Sequence, residues 1–503
     1  MPESVASNAR SVVVIGAGPA GLTAAHRLSA RGYAVTVIEK DARYVGGISK
    51  TVKYNGFHFD IGGHRFFSKS REVEEYWREV LGDDLIERPR KSRIFYNGQL
   101  FSYPLKPVDA LRKLGPVEAG LCVLSYLRAR LRPIAEPKNF EEWITNHFGA
   151  RLFSIFFKTY TEKVWGMRCT EISADWAAQR IKGLSMSKAI INAVLPRRPG
   201  GQVIKTLIDS FRYPRRGPGM MWEATAAAVR ENGGRIVMDR EVVGCAWDAG
   251  RGLWQVRCRD GEGGEESYAA GHVISSMAMR ELVTGLSPAP SEATLRAARG
   301  LKYRDFLIVA LIIQDRGQFD DNWIYIHEPD VLVGRIQNFK SWSPEMVPDA
   351  ALNCYGMEYF CFAGDSLWAA PDDGLIALAR RELASLGLAA AEDIIDGHVI
   401  RQEKAYPVYD ESYQANVEAI RRELAARYPN LHLVGRNGMH KYNNQDHAIM
   451  TAMLTVANIV AGKPVYDVWR VNQDAEYHEE GGAGSDLLLA DSERLTPMRA
   501  GSP

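Results

Sequence analysis

Hydrophobic and polar positions change period several times along this 503-residue chain. Val12 to Ile15 is an unbroken apolar run that stops at Gly16-Ala17-Gly18-Pro19-Ala20-Gly21. Leu22 to Arg31 then follows helical spacing, and Tyr33 to Glu39 is again β-rich, so strand, glycine turn, helix and strand form one βαβ unit. Helical patterning dominates Arg71 to Lys205, clearest in Val73 to Val80 and Asn139 to Phe148. Basic, proline-containing joints such as Pro196-Arg197-Arg198-Pro199-Gly200-Gly201 interrupt it. Short β-rich pieces return at Arg235 to Met238, Trp254 to Arg257 and His272 to Ser275, separated by Gly, Asp and Glu turns. Asp305 to Gln314, Trp323 to Ile326 and Tyr355 to Phe362 are rich in β-branched and aromatic residues and predict a second sheet. Leu431 to Gly435 reads as a late strand, and Ala448 to Gly462 as a helix closing on a glycine C-cap.

This order predicts an α/β protein with a Rossmann-like dinucleotide-binding domain assembled from residues 1–90, 215–295 and 425–470. A mainly helical substrate domain is inserted over 91–214, and a second, antiparallel sheet domain over 296–424. Residues 471–503 turn Glu/Gly/Ser/Ala-rich and are expected to be a disordered tail.

Charge narrows the partners. With 62 Lys and Arg against 61 Asp and Glu, the net charge is +1, so no polyanion-binding field is expected, and there is no nucleic-acid motif. A hydrophobic fraction of 46% and a charged fraction of 24% match a globular protein rather than a disordered or disulfide-dense one. Cys122, Cys169, Cys245, Cys258, Cys354 and Cys361 lie far apart without metal-ligand spacing, so reduced thiols and no metal are expected. Val12 to Ala25 suits a nucleotide-binding turn better than a secretion signal. The next most apolar run, Phe306 to Ile313, falls far short of the ~20 residues that span a bilayer. A cytoplasmic protein without a transmembrane segment is expected; the sequence offers no support for peripheral membrane contact and leaves a homo-oligomer open.

The glycine turn carries the first chemistry. Gly16 permits the turn, Gly18 lets backbone N–H groups approach a pyrophosphate, Gly21 packs helix on strand, and Glu39 at a strand end can accept from ribose hydroxyls. NAD and FAD both use such a turn. Val45-Gly46-Gly47-Ile48 and Phe59-Asp60-Ile61-Gly62-Gly63-His64 decide between them, because they resemble the extended FAD fingerprint of the amine-oxidase-like flavoproteins. Glycines at 46, 47, 62 and 63 would let backbone lie against the cofactor where a Cβ would collide.

Four segments resemble the UDP-galactopyranose mutases, FAD proteins of that superfamily. They are Gly62-Gly63-His64-Arg65-Phe66-Phe67-Ser68, Tyr160-Thr161-Glu162-Lys163-Val164-Trp165-Gly166, Tyr406-Pro407-Val408, and Gly435-Arg436 through Lys441-Tyr442 to Asn444-Gln445-Asp446-His447. With the FAD fingerprint they cover Val12 to Gly462. The resemblance implies that Arg180 and Arg335 hold a substrate diphosphate and that Tyr406 and Tyr442 donate to it. It places Trp165, Trp323 and Tyr160 in the sugar cavity, and Tyr103 with Phe156 against a nucleobase, although Phe156 shares an apolar helix face with Phe153 and Phe157. It puts His64 among the catalytic groups beside the flavin with Asn444, neither as acid nor base, and the last helix with its N-terminus towards the ring. Cofactor contacts implied in addition are Pro19, Ala20, Lys40, Val242, Gly435, Arg436 and Gln445.

The activity implied is interconversion of pyranose and furanose forms of a UDP-hexose, UDP-galactose first, in cell-wall polysaccharide biosynthesis. It proceeds through attack by N5 of reduced FAD on the anomeric carbon, with NAD(P)H or another reductant supplying the reduced state. Two departures bear on the substrate. Lys106 follows Tyr103-Pro104-Leu105 where eukaryotic mutases carry Gln, and the stretch from Tyr442 to Asn444 is short. A different nucleotide sugar, an amine-oxidase-type oxidoreductase and a non-catalytic flavin protein are the competing readings.

Overall fold

The computed structural model describes residues 10–105, 107–174 and 210–472. Ser11–Ile15 is buried on both faces, as an unbroken Val/Ile run requires. It lies in the middle of a five-stranded parallel sheet ordered Leu431–Leu433, His272–Ser275, Ser11–Ile15, Ala34–Ile38, Arg235–Val237. Strands from the two ends and the middle of the chain therefore build one domain. The first helix, Pro19–Ser29, and the last, Gln445–Ala461, pack together over this sheet and share one apolar core. Gly462 ends the last helix at φ +64°, as the sequence predicts. A four-stranded sheet (Glu265–Ala270, Leu253–Arg259, Glu241–Asp248, Leu286–Ser287) packs beside it.

The second large sheet has seven strands, in the order Ile394–Pro407, Tyr303–Gln314, Leu352–Cys361, Arg335–Asn338, Trp323–Ile326, Ser92–Tyr96, Gln99–Ser102. Its pairs are antiparallel except Trp323–Ile326 with Ser92–Tyr96, which run parallel. Tyr303–Gln314 shows why its apolar run lacks alternation. Phe306, Ile308, Ala310 and Ile312 enter the core that also holds Phe59 and Trp342. Leu307, Val309, Leu311 and Ile313 enter the core under helix Asp372–Ser385. Both faces of the strand are covered.

The segment expected to be mainly helical from residue 91 opens instead with the hairpin Ser92–Tyr96 and Gln99–Ser102, which belongs to the seven-stranded sheet. Ile94 and Phe101 enter one core while Phe95 and Leu100 pack on the other, so both faces of the hairpin are covered and no alternation marks it within the surrounding helical pattern. Helices Pro107–Leu114, Pro116–Leu131, Phe140–Phe148, Ala150–Phe153 and Thr159–Trp165 follow, the last two joined by a π-turn at Ser154–Lys158. Ser210–Pro214 then pairs with Leu85–Pro89. The expected tail beyond Asn472 lies outside the described residues. All six cysteines are buried and free.

Candidate active site

The first strand ends at Gly16, whose φ of +94° and Cβ position, 2.4 Å from Ser276 Oγ, admit only glycine. A Cβ on Gly21 would sit 1.9 Å from the Gly16 carbonyl oxygen, so helix and turn are in backbone contact there. Gly18 precedes the helix with no side-chain cap, and Pro19 follows in its first turn, which leaves the N-terminal N–H groups to an anion. The Gly46-Gly47 loop sits on this turn: Gly46 N–H donates to the Ala17 carbonyl at 2.7 Å, and a Cβ on Gly47 would come within 3.3 Å of Gly18 Cα. Gly435, at φ +76°, closes against Ala20, where an added Cβ would lie 3.0 Å from that of Ala20.

Glu39 is buried at the end of the second strand and accepts from Ala17 N–H at 2.6 Å and Asp41 N–H at 2.8 Å. Burial pushes its pKa up, against the pull of those two bonds. Val242 is buried with Val13, Ile15 and Ile38. Lys40 points to solvent and pairs with Glu403 at 3.6 Å, so it lies at the rim rather than in the cradle. Gln445 Nε2 donates to the Arg65 carbonyl at 3.2 Å, while its Oε1 is buried without a protein partner. A glycine cradle that a Cβ would fill, an uncapped helix N-terminus and a carboxylate at the second strand end fit a dinucleotide such as FAD.

Arg335 and His64 converge on Gly62 together with Tyr406. A Cβ there would lie 3.6 Å from Arg335 Nη2, 4.0 Å from His64 Nε2 and 4.0 Å from Tyr406 Oη. Arg335 begins its strand in register with Glu358, and its Nε donates to Glu358 Oε2 at 2.5 Å. The Gln337 amide donates to the other oxygen at 2.8 Å. Anchored through Nε, the guanidinium turns its Nη edge towards the glycine loop. Burial works against the Arg335 charge, but the Glu358 carboxylate outweighs it and holds the guanidinium pKa well above its ordinary value.

Tyr406 and Tyr442 stack at 5.6 Å and 10°, and Arg436 lies 5.2 and 4.9 Å from their ring centroids. Arg436 is itself fixed to the carbonyls of Asn443 at 2.9 Å and Ala405 at 3.0 Å. Burial raises the Tyr406 pKa, so its hydroxyl remains a donor. His64 Nε2 lies 2.8 Å from the Ile61 carbonyl, which assigns the proton to Nε2. Burial pushes the His64 pKa down to about 4, and it stays neutral. Asn444 caps the last helix: its side chain accepts from the His447 N–H, and its own N–H donates to His447 Nδ1 at 3.2 Å.

The Tyr-Thr-Glu-Lys-Val-Trp-Gly segment locks one wall. Tyr160 stacks on His327 at 5.2 Å and meets Tyr325 edge-on at 5.2 Å. Lys163 Nζ donates to the carbonyls of Glu328 at 2.6 Å and Val333 at 3.1 Å, and burial lowers its pKa to about 8. Gly166 leaves room for the buried Arg304, which donates to the carbonyls of Val164 at 3.1 Å and Phe360 at 2.7 Å. Tyr103 continues this aromatic wall, 4.7 Å from Tyr325. Trp165 is buried in the core, and Trp323 stacks on Trp342 at 5.4 Å. Phe156 is also core, edge-on to Phe101 at 5.2 Å, the other reading its helix face allows. Arg180 and Lys106 lie outside the described residues.

Sequence reasoning missed Glu358, Gln337, Tyr325, His327 and Arg304, together with Arg65 and Arg90, whose guanidinium carbons lie 5.7 and 5.8 Å from the Trp323 ring. One signal was present: Glu358 is the lone carboxylate inside the apolar run Tyr355–Phe362, and a buried charge there needs a partner.

The family model for flavin containing amine oxidoreductases matches residues 19–460. A probable UDP-galactopyranose mutase of Klebsiella pneumoniae is 28% identical over 176 residues, which is 33% of this chain and 44% of that protein. Putrescine oxidase of Kocuria rosea is 26% identical over 259 residues, 49% of this chain and 51% of the oxidase. An L-amino acid oxidase of Crotalus durissus cumanensis is 35% identical over 121 residues, 21% of this chain and 24% of that enzyme. The alignments thus span a quarter to a half of these curated relatives. Among solved structures, reduced UDP-galactopyranose mutase has a TM-score of 0.76 at 22% identity, covering 90% of this chain and 94% of its own. A putrescine oxidase mutant gives 0.60 at 17% identity, covering 90% and 99%. These structural likenesses establish the shared fold.

Two outcomes follow from the geometry. Gly21→Val should leave purified protein without flavin absorbance, because the added side chain displaces the turn at the Gly16 carbonyl. His327, buried against Tyr160, has its pKa pushed down to about 3, so the unfolded chain takes up a proton that the folded one excludes. Its contribution is complete above the ordinary histidine pKa of about 6.5 and is lost as pH falls towards 3. Between pH 7 and 5, His327→Phe should lose about 2 kcal/mol less stability than the parent in urea titrations.

Proposed function

The chain belongs to the flavin containing amine oxidoreductase family, and from that premise we propose that it is a FAD-dependent nucleotide-sugar mutase, interconverting pyranose and furanose forms of a UDP-hexose such as UDP-galactose. The observation that carries this reading is the convergence of Arg335 Nη2, Tyr406 Oη and His64 Nε2 on Gly62, beside the dinucleotide cradle. Bound and kept reduced by NAD(P)H or another reductant, FAD would supply the nucleophile for an anomeric carbon, with no net redox change once the sugar ring has opened and reclosed.

The protein's part is to hold and stabilise the departing nucleoside diphosphate. Arg335 has its Nε occupied by Glu358, so its Nη edge is what a phosphate meets, in the forked geometry that suits two oxygens. Because that edge is fixed before the bond breaks, it stabilises developing charge without reorganising. Tyr406 adds a protonated hydroxyl, and Arg436 against both tyrosine rings holds them in place while adding positive potential. Arg180 is assigned the second diphosphate contact by its matching position in the sequence. The neutral His64 donates to the Ile61 carbonyl and shapes the glycine loop rather than moving a proton. Tyr103, Tyr325 and Tyr160 provide flat faces for the base along the wall that ends, in register, at Arg335.

Amine oxidation is the second reading, and the L-amino acid and putrescine oxidases among the relatives give it a basis. A site for a protonated amine gains nothing from the forked edge of Arg335. Chromatography of UDP-galactose with the holoprotein should show the furanose isomer after dithionite reduction and none with oxidised flavin. Arg335→Ala should lower kcat/KM by about 100- to 1,000-fold with flavin absorbance retained. Oxygen consumption with amines, and no isomer from any nucleotide sugar, would establish the oxidase reading instead.

A further inference from the structure

Ten large apolar side chains are exposed among the described residues, and seven of them lie between positions 117 and 134. They belong to helix Pro116–Leu131 and the turn that follows. The helix buries Cys122, Tyr126 and Ala129 against the neighbouring helices, so its inward face is already spent on the core. Val117, Leu121, Leu124, Leu127 and Leu131 point the other way, and Val117, Leu124 and Leu131 are 77%, 64% and 81% exposed. At 3.6 residues per turn these five share one arc. The exposed Arg128 falls within this arc, Arg130 lies beyond its Leu127 edge, and Arg132 follows the last helical residue. Residues 112–138 carry six basic and two acidic side chains in a chain whose net charge is +1.

We propose that this face docks on a lipid bilayer surface bearing anionic headgroups, with the helix lying in the plane of the interface. The leucines and Val117 enter the headgroup–acyl boundary, while the arginine stems run along the apolar arc and deliver their guanidinium groups to lipid phosphates. A contiguous apolar arc of this kind is far from the scattered single residues normal on a monomer surface. Charge selects the occupant. A second copy of the chain would meet three arginines with a face whose one helix carboxylate, Glu118, is already held by Arg151 at 2.5 and 2.7 Å. An anionic lipid surface meets the apolar arc and the arginines together. No described helix is long and apolar enough to cross a membrane, so the contact is peripheral.

Flotation of the flavin-loaded full chain with vesicles tests this. Vesicles of mixed phosphatidylglycerol and phosphatidylcholine should carry the protein upward at low salt, and phosphatidylcholine alone should carry far less. Leu124→Glu with Leu131→Glu should abolish flotation. Replacing Arg128, Arg130 and Arg132 with Gln should weaken partitioning by about 100-fold, at about fivefold per arginine. Flavin absorbance and thermal midpoint should stay unchanged in both variants, since all five side chains are exposed. No flotation with the anionic vesicles, equal flotation with neutral ones, or a solution dimer that Leu124→Glu dissociates would each overturn the proposal.

Discussion

A carboxylate fully removed from water can persist at position 358 only because Arg335 and Gln337 satisfy both of its oxygens. Removing one partner would strand a charge in the sheet, so the pair holds as a unit. Its directional consequence matters more than its stability. Glu358 takes Nε, and an Nη of the guanidinium is left facing Gly62, beside His64 and Tyr406. The orientation of the charge at Gly62 is therefore set by a residue that is itself sealed from solvent.

The loop leading into Arg335 is held from both sides. Glu382 accepts from the N–H groups of Leu332 at 2.6 Å and Val333 at 3.0 Å. Lys163 donates to the carbonyls of Glu328 and Val333 from the opposite element. Arg304 then fixes the end of the helix that carries Lys163, in the space Gly166 leaves. The most distinctive motif in the chain is thus largely a brace: Tyr160 packs on Tyr325 and His327, while Lys163, Trp165 and Gly166 keep the wall beside Arg335 in place. Its side chains connect two segments about 165 positions apart in sequence, which is a structural reason for its specificity.

Much of this was legible in the sequence. The βαβ unit, the capped last helix and the apolar strand Tyr303–Gln314 each follow from local period and turn residues, and the glycine turn announces its cradle for the same reason. Arg335, Tyr406 and His64 were reached through resemblance; their meeting at Gly62 depends on strand register, which no local pattern encodes. Ile394–Pro407 was missed because its exposed edge mixes Asp396, Arg401 and Lys404 into a strand that alternation would not mark. The exposed face of Pro116–Leu131 was hidden by composition: a helix apolar on both sides reads as core until its neighbours show which side they cover.

The most direct test is a crystal structure of the reduced holoprotein with UDP. The account predicts phosphate oxygens within about 2.7–3.2 Å of Arg335 Nη and Tyr406 Oη, with Arg335 Nε still on Glu358. A nucleotide bound away from Gly62, or an Arg335 that has left Glu358 to reach it, would contradict the claim that the buried pair builds the anion site in advance.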